Sequence, residues 1–481
     1  MMGSRRIFLF WGVTFLIFFI LFGSYIEGTL AMTTDEEKKL GKKILLEMEK
    51  QVEWVRDPHI QSFVDRVGYS IVREVGPAPF EFRFYVIKAQ DPNAFAIPGG
   101  YIFVTTGLIV LAESEQEIAG VLGHEISHVT GRHFDQMMDK SKRLNIASLA
   151  AILLGALAGR GGKATEAVAA TAMATSEAMA LKYTREMETD ADQNGLYRMI
   201  KAGYDPNGMI TFLNRIRRIE LSMAPQIPVY LMTHPALESR IALLENLMEI
   251  GQKPAGPFKR VGNFKRVQSE AFVEEREADV AVSHFGSMVK TNPQDIDGIY
   301  GLGLSFKKMG RLDKSTEVFQ SGLSLSPEDP DLLRELGIVY FLSGKLDQAV
   351  ENLEAARSVS AADQGAGLLT LYYLGRTYQE EGNLANALPL FLKVQKDMPE
   401  FPDVYNNLGS VYGRMGQTGR SHFYFGKHFK LIGDKRSALL HFRAADQGLE
   451  KGSSEEEETR KEIKELTETK EEKQAPASHW R

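Results

Sequence analysis

The residues best suited to chemistry cluster between positions 121 and 133, which read VLGHEISHVTGRH. His124 and His128 stand four apart, so on a helix their rings share one face a turn from each other. Two imidazoles in that position can hold one zinc ion at about 2.0–2.1 Å each. Glu125 follows the first histidine directly, which puts its carboxylate beside the metal, ready to take a proton from water activated there. Ile118, Val121, Leu122 and Ile126 supply the apolar residues that pack such a helix. The chain has no cysteine, which excludes thiolate metal sites, disulfides and a cysteine nucleophile. Any metal therefore sits on His, Asp or Glu. His133, just beyond the motif, reads as a capping or surface residue.

A hydrolytic zinc takes a third protein ligand and keeps a fourth position for water. The acid-rich helical stretch Tyr183 to Gly195 (YTREMETDADQNG) is where the third ligand is expected. Glu188 and Asp192 share a face there, four residues apart, but spacing alone does not choose among Glu186, Glu188, Asp190 and Asp192.

The H-E-x-x-H helix, with Glu188-Thr-Asp-Ala-Asp192 about sixty residues later, resembles the membrane-linked zinc metallopeptidases that include the CAAX prenyl proteases and the heat-shock protease HtpX. That resemblance implies that Glu188 is the third ligand and Asp192 a supporting residue. It implies that Asn93, Ala94, Phe95, Ala96 and Ile97 belong to a strand along which substrate lies. It also implies that His234 can reach the zinc and block the water position, giving a latent enzyme. Arg240 is implied as a contact for the peptide or for a developing oxyanion. One zinc per chain is the cofactor so implied.

These residues need elements to hold them. Asp35 to Val55 and Ile60 to Val75 have helical spacing, and Phe80 to Ile87 alternates like a strand. Ala94 to Val104 reads as two short strands around a Pro98-Gly99-Gly100 turn. Long helical stretches continue to about 250. Residues 33–255 are thus expected to form an α+β, zincin-type metallopeptidase domain with a small edge sheet. A basic, Gly- and Pro-bearing linker is expected at 256–267.

Residues 268–450 carry a repeat. Leu302-Gly303, Leu336-Gly337, Leu374-Gly375 and Leu408-Gly409 recur at spacings of 34, 38 and 34. A turn glycine follows each at one offset (Gly310, Gly344, Gly382, Gly416), and then a small and a large residue, as in Ala349 and Leu353. This is the tetratricopeptide period, predicting an α-solenoid that binds extended peptides or other proteins. The tail, 451–481, is mixed in charge and poor in apolar residues, so it is expected to be a frayed, solvated helix or disordered.

At the N-terminus, Arg5 and Arg6 precede the uncharged stretch Ile7 to Ile26, a signal peptide or membrane anchor within 1–31. This sends the working domains outside the cytoplasmic membrane, into the periplasm, with 7–26 a possible inner-membrane tether. Leu144 to Ala158 is apolar but only fifteen residues long, a core or surface helix rather than a span. A net charge of −6 argues against nucleic acid, and no phosphate-binding loop is present for a nucleotide. With its export signal and repeats the chain resembles the β-barrel assembly-enhancing branch of the family. That likeness implies a zinc endopeptidase for misfolded or stalled envelope proteins, with repeats that contact the assembly machinery. The rival is a chaperone-like repeat scaffold with little or no proteolysis. A pure scaffold has no use for Glu125.

Overall fold

The computed structural model describes residues 32–140, 183–223, 228–251, 256–359 and 364–474. The apolar stretches at 7–26 and Leu144–Ala158 lie outside the described residues. Among those described, no helix is long and apolar enough to cross a membrane.

The chain opens with α1 (Thr34–Met48), begun by a capping box in which the Thr33 N–H donates to the Glu36 carboxylate at 2.8 Å. Asp57 caps α2 (Pro58–Val72), whose Pro58 sits in the first turn, where its missing N–H costs nothing. Ile60, Phe63, Val64, Val67 and Ile71 of α2 are fully buried.

Strands β1 (Arg83–Ile87), β2 (Ala94–Ile97) and β3 (Tyr101–Thr105) form a sheet in the order β1-β3-β2. β1 runs parallel to β3, and β2 antiparallel. The first strand is shorter than its alternation predicts: Phe80 and Phe82 are buried but precede the paired residues. Gly99 (φ 86°) and Gly100 (φ 93°) turn the chain between β2 and β3 in a conformation that only glycine takes without strain. The Thr105 N–H donates to the Asn93 carbonyl at 3.0 Å. Antiparallel pairing alternates, so the backbone groups of Ala94 and Ala96 point away from β3, along the outer edge of β2.

Among the described residues, five helices follow around the site: α3 (Thr106–Leu111), α4 (Glu115–Thr130), α5 (His133–Lys140), α6 (Arg185–Lys201) and α7 (Asn207–Met223). Short α8 (Val229–Thr233) and α9 (Leu237–Ile250) complete this half. α4 and α6 cross where Gly123 meets Gly195. A methyl group on Gly195 would lie 2.9 Å from both the Gly123 carbonyl carbon and the His124 nitrogen. The two backbones touch with no side chain between them, which brings the histidines of α4 within reach of the acids of α6.

The second half is helical throughout: α10 (Phe264–Glu275), α11 (Ala278–Thr291), α12 (Ile296–Lys308), α13 (Leu312–Leu325), α14 (Pro330–Leu342) and α15 (Leu346–Val359). Then come α16 (Gln364–Glu380), α17 (Leu384–Asp397), α18 (Pro402–Arg414), α19 (Thr418–Leu431), α20 (Lys435–Gly448) and α21 (Ser454–Gln474). The repeat positions do matched work. A Cβ on Gly303, Gly337, Gly375 or Gly409 would lie within 3 Å of Phe319, Leu353, Phe391 or Phe425 respectively. Each large side chain thus fills the space its glycine leaves. Gly433, Ala438 and Phe442 repeat the same offsets once more, and the last two are fully buried.

Two boundaries differ from expectation. The stretch 256–267 is not all linker. Phe264 already starts α10, and Phe264, Val267 and Ala271, spaced for one helix face, sink into the core of the N-terminal half. The tail is not disordered over its described part: α21 packs on α20. Leu466 and Thr459 are buried there, while Lys427 and Lys430 pair with Glu458 and Glu462. Ion pairs replace the apolar stripe whose absence suggested disorder.

α10 joins the halves. It packs on α2, α3 and α12. Its Glu270 is 2.8 Å from His59 Nδ1 of α2 and accepts from the Tyr300 hydroxyl of α12. Arg334 of α14 donates to that hydroxyl at 2.8 Å and to Asp331 at 2.6 Å. Buried charges of this kind persist because each is paired.

Candidate metal centre

Ser114 caps α4, and the helix buries nearly every side chain it carries, including His124, Glu125 and His128. Thr184 caps α6, which buries Glu188 and Asp192. The short α8 delivers His234, fully buried, at its C-terminal end.

One ligand atom from each of His124, His128, Glu188 and His234 falls in a group within 4.8 Å of one another. His124 Nε2 is 2.9 Å from His128 Nε2 and 3.3 Å from His234 Nδ1. Glu188 Oε1 is 3.2 Å from His234 Nδ1 and 3.4 Å from His128 Nε2, and Glu188 Oε2 is 3.5 Å from His124 Nε2. Four ligands each about 2.05 Å from a tetrahedral centre lie about 3.3 Å apart. The observed separations bracket that value, so the nitrogen and oxygen donors fit a zinc ion.

Glu125 is buried beside this group, and neither carboxylate oxygen has a hydrogen-bond partner among the described residues. Oε1 lies 3.4 Å from His234 Nε2. Burial pushes the Glu125 carboxyl up from its ordinary value, against the pull of the His234 and His124 rings. A buried carboxylate with a raised proton affinity suits a general base.

The surrounding charges sort the remaining groups. Burial works to raise Glu188, but the Arg240 guanidinium and the His234 and His124 rings outweigh it and hold the carboxyl well below its usual range. Burial, reinforced by the His124 ring, pushes His128 well below the usual imidazole range, which keeps it neutral and able to ligate. His234 moves the other way: burial opposes, but Glu188 and Glu125 raise it.

His124 Nδ1 lies 2.8 Å from Asp192 Oδ1 and 3.2 Å from the Arg240 NH2 group. A nitrogen that donates to the carboxylate cannot also accept from the guanidinium. The shorter contact decides the tautomer, leaving the Nε2 lone pair turned toward the other ligand atoms.

Arg240 is buried, with NH1 2.8 Å from Glu188 Oε2 and both Nε and NH2 donating to Asp192 at 2.8 Å. Two buried acids balance its charge. The edge strand reaches the site, since the Ala94 carbonyl is 3.4 Å from His234 Nε2. Asn93 is buried at the head of that strand, with neither side-chain amide atom partnered among the described residues. Phe95, Ala96 and Ile97 are buried as well, Phe95 stacking on Phe103 at 4.9 Å.

Sequence reasoning missed two residues. Tyr183 stacks on the His128 ring at 3.9 Å between centroids. His133 is buried rather than a surface residue, with its Nδ1 2.9 Å from His128 Nδ1. Nothing in the sequence marks the stacking. The histidine lies five residues past His128, a spacing that puts it off the ligand face of a continuing helix.

Residues 56–248 match the model of peptidase family M48, and residues 296–329 match a tetratricopeptide repeat. A protein of Vibrio cholerae is 36% identical over 221 residues, 44% of this chain and 45% of that one. The beta-barrel assembly-enhancing protease of Escherichia coli (strain K12) is 30% identical over 227 residues, 46% of each chain. The mitochondrial metalloendopeptidase OMA1 of Schizosaccharomyces pombe is 30% identical over 191 residues, 40% of this chain and 53% of that one. The chain spans about half the length of the curated relatives it matches. It carries an M48 peptidase domain followed by tetratricopeptide repeats.

Proposed function

We propose that this M48 domain is a zinc-dependent endopeptidase of the cell envelope, acting on misfolded or stalled envelope and outer-membrane proteins. In this reading the repeats recruit protein partners, the envelope assembly machinery among them. The observation that carries the peptidase reading is the buried His124–His128–Glu188–His234 group with the unpartnered carboxylate of Glu125 beside it. The envelope setting rests on the export-type N-terminus and on the name of the Escherichia coli relative.

His124, His128 and Glu188 would hold the zinc. Bound zinc supplies Lewis-acid polarisation of a carbonyl and acidifies water. Glu125 takes the water's proton and returns one to the leaving amine. An extended substrate pairs along the outer edge of β2, where the Ala94 and Ala96 backbone groups bind main chain with little regard for sequence. His234 would hold the remaining ligand position, and it contacts the Ala94 carbonyl, so substrate would have to displace it from both places. The enzyme is therefore latent until that exchange occurs. Partners held by the repeats would decide when it does.

The test is zinc content together with casein cleavage for the wild-type chain, Glu125→Gln and His234→Ala. The expected result is about one zinc per chain, no cleavage by Glu125→Gln, and faster cleavage by His234→Ala. Absence of zinc from all three leaves the repeat scaffold as the function instead.

A further inference from the structure

His124 has an acid to orient it, Asp192, but the second histidine of the motif faces no carboxylate on its outer nitrogen. His128 Nδ1 is instead 2.9 Å from His133 Nδ1. On its far side, His133 Nε2 is 3.3 Å from Asp190 Oδ2. The protons fit only one way if His128 ligates through Nε2. Its Nδ1 then carries the hydrogen and donates to His133 Nδ1, while His133 Nε2–H donates to Asp190.

The backbone is shaped to make this contact. α4 ends at Gly131, and Arg132 takes a left-handed conformation (φ 52°) uncommon for a residue with a side chain. The Arg132 side chain is held there by Glu37 at 2.9 Å and Asp135 at 3.1 Å. This reversal folds the His133 ring back over the end of α4. A Cβ on Gly131 would come within 2.5 Å of His133 Nε2, so only glycine leaves room for the ring. Local strain kept at such a place points to a use for the geometry it imposes.

We infer that Asp190 and His133 form a positioning relay for His128, doing for the second metal histidine what Asp192 does for the first. The inference rests on the metal centre proposed above. Neither residue touches substrate. Asp190 acts through His133, and His133 through His128. The relay fixes the tautomer and tilt of the ligand ring, a role that partners of metal-bound histidines commonly fill.

Zinc affinity, read by competition with a chromophoric chelator, and the visible spectrum of the cobalt-substituted protein test this without recourse to activity. His133→Ala is expected to weaken zinc binding about 10–100-fold and to alter the cobalt spectrum. His133→Gln, whose amide oxygen can accept from His128 Nδ1, recovers most of both. Asp190→Asn weakens binding less. Because Asp190 acts through His133, Asp190→Asn adds nothing in the His133→Ala background. Asp190 is half exposed, so its substitution leaves the fold standing even if His133→Ala does not. A wild-type chain without affinity for zinc overturns the metal reading and the relay together. Tight wild-type binding that His133→Ala leaves unchanged, or losses that simply add, overturns the relay alone.

Discussion

The Gly123–Gly195 crossing makes a quantitative claim about how the metal centre is assembled. Gly195→Ala inserts one methyl group 2.9 Å from the Gly123 carbonyl carbon and from the His124 nitrogen. Both neighbours are backbone and cannot rotate aside. Relieving the clash to an ordinary contact near 3.5 Å moves α6 off α4 by roughly 0.6 Å. The His124 Nδ1–Asp192 contact, now 2.8 Å, would stretch to about 3.4 Å, beyond the usual hydrogen-bond range and weaker. Glu188 would move by a similar amount, beyond the roughly 0.2 Å that a zinc site tolerates. Overpacking costs about 1–3 kcal/mol, and alanine returns up to about 1 kcal/mol of helix propensity. The metal-free protein should therefore lose about 0–2 kcal/mol. With zinc saturating, a 10–100-fold weaker site removes about 1.4–2.7 kcal/mol more. Urea unfolding in chelator and in buffered zinc separates the two terms. Gly286→Ala, whose methyl group would meet nothing closer than Leu302 at 3.9 Å, measures the propensity term alone. Equal losses with and without zinc, or a gain like that of Gly286→Ala, would refute the claim that this crossing sets the ligand geometry.

Two further outcomes follow from the packing. Phe391→Ala empties a fully buried repeat position and should cost about 3–5 kcal/mol by denaturant titration. Gly375→Ala, destabilising alone because its methyl would sit 2.9 Å from that ring, should become neutral or stabilising in the Phe391→Ala background. Asp65 of α2 is held by burial at a pKa of about 7, with Glu400 of the repeats reinforcing the shift. A carboxyl raised in the folded state contributes stability below its ordinary pKa and loses it as pH rises through the folded value. Asp65→Asn should match wild type below pH 4 and gain about 1–2 kcal/mol by pH 8, the figure being reduced for its partial exposure. A gain that does not change with pH would contradict the assignment.

The parts of this molecule that were legible in its sequence are those set by short-range periodicity. An interval of four on a helix suffices to pair His124 with His128, and offsets of sixteen between a glycine and a large residue, such as Gly337 and Leu353, suffice to build the array. Choosing among the four acids between 186 and 192 took a likeness to other proteins, because rotation of α6 about its axis depends on the Gly123–Gly195 contact, a tertiary event. His133 was read wrongly because its place depends on a left-handed turn at an arginine, for which no residue preference gives warning. For Arg240, a sequence shows that a cation is near the site, not that Glu188 and Asp192 pair with it. The tail looked unstructured because hydrophobic content was the only criterion, whereas α21 docks with few apolar residues and several lysine–carboxylate pairs.

The shared helix α10 also bears on the order in which the protein can be made. His59 meets Glu270 only after 211 further residues have been synthesised. At about 5–20 residues per second that interval is roughly 10–40 s. Through it, the part of the N-terminal core that Phe264 and Val267 will cover stays open, and His59 of α2 stays without its carboxylate. A chain broken off before α10 would thus leave that part of the N-terminal core uncovered.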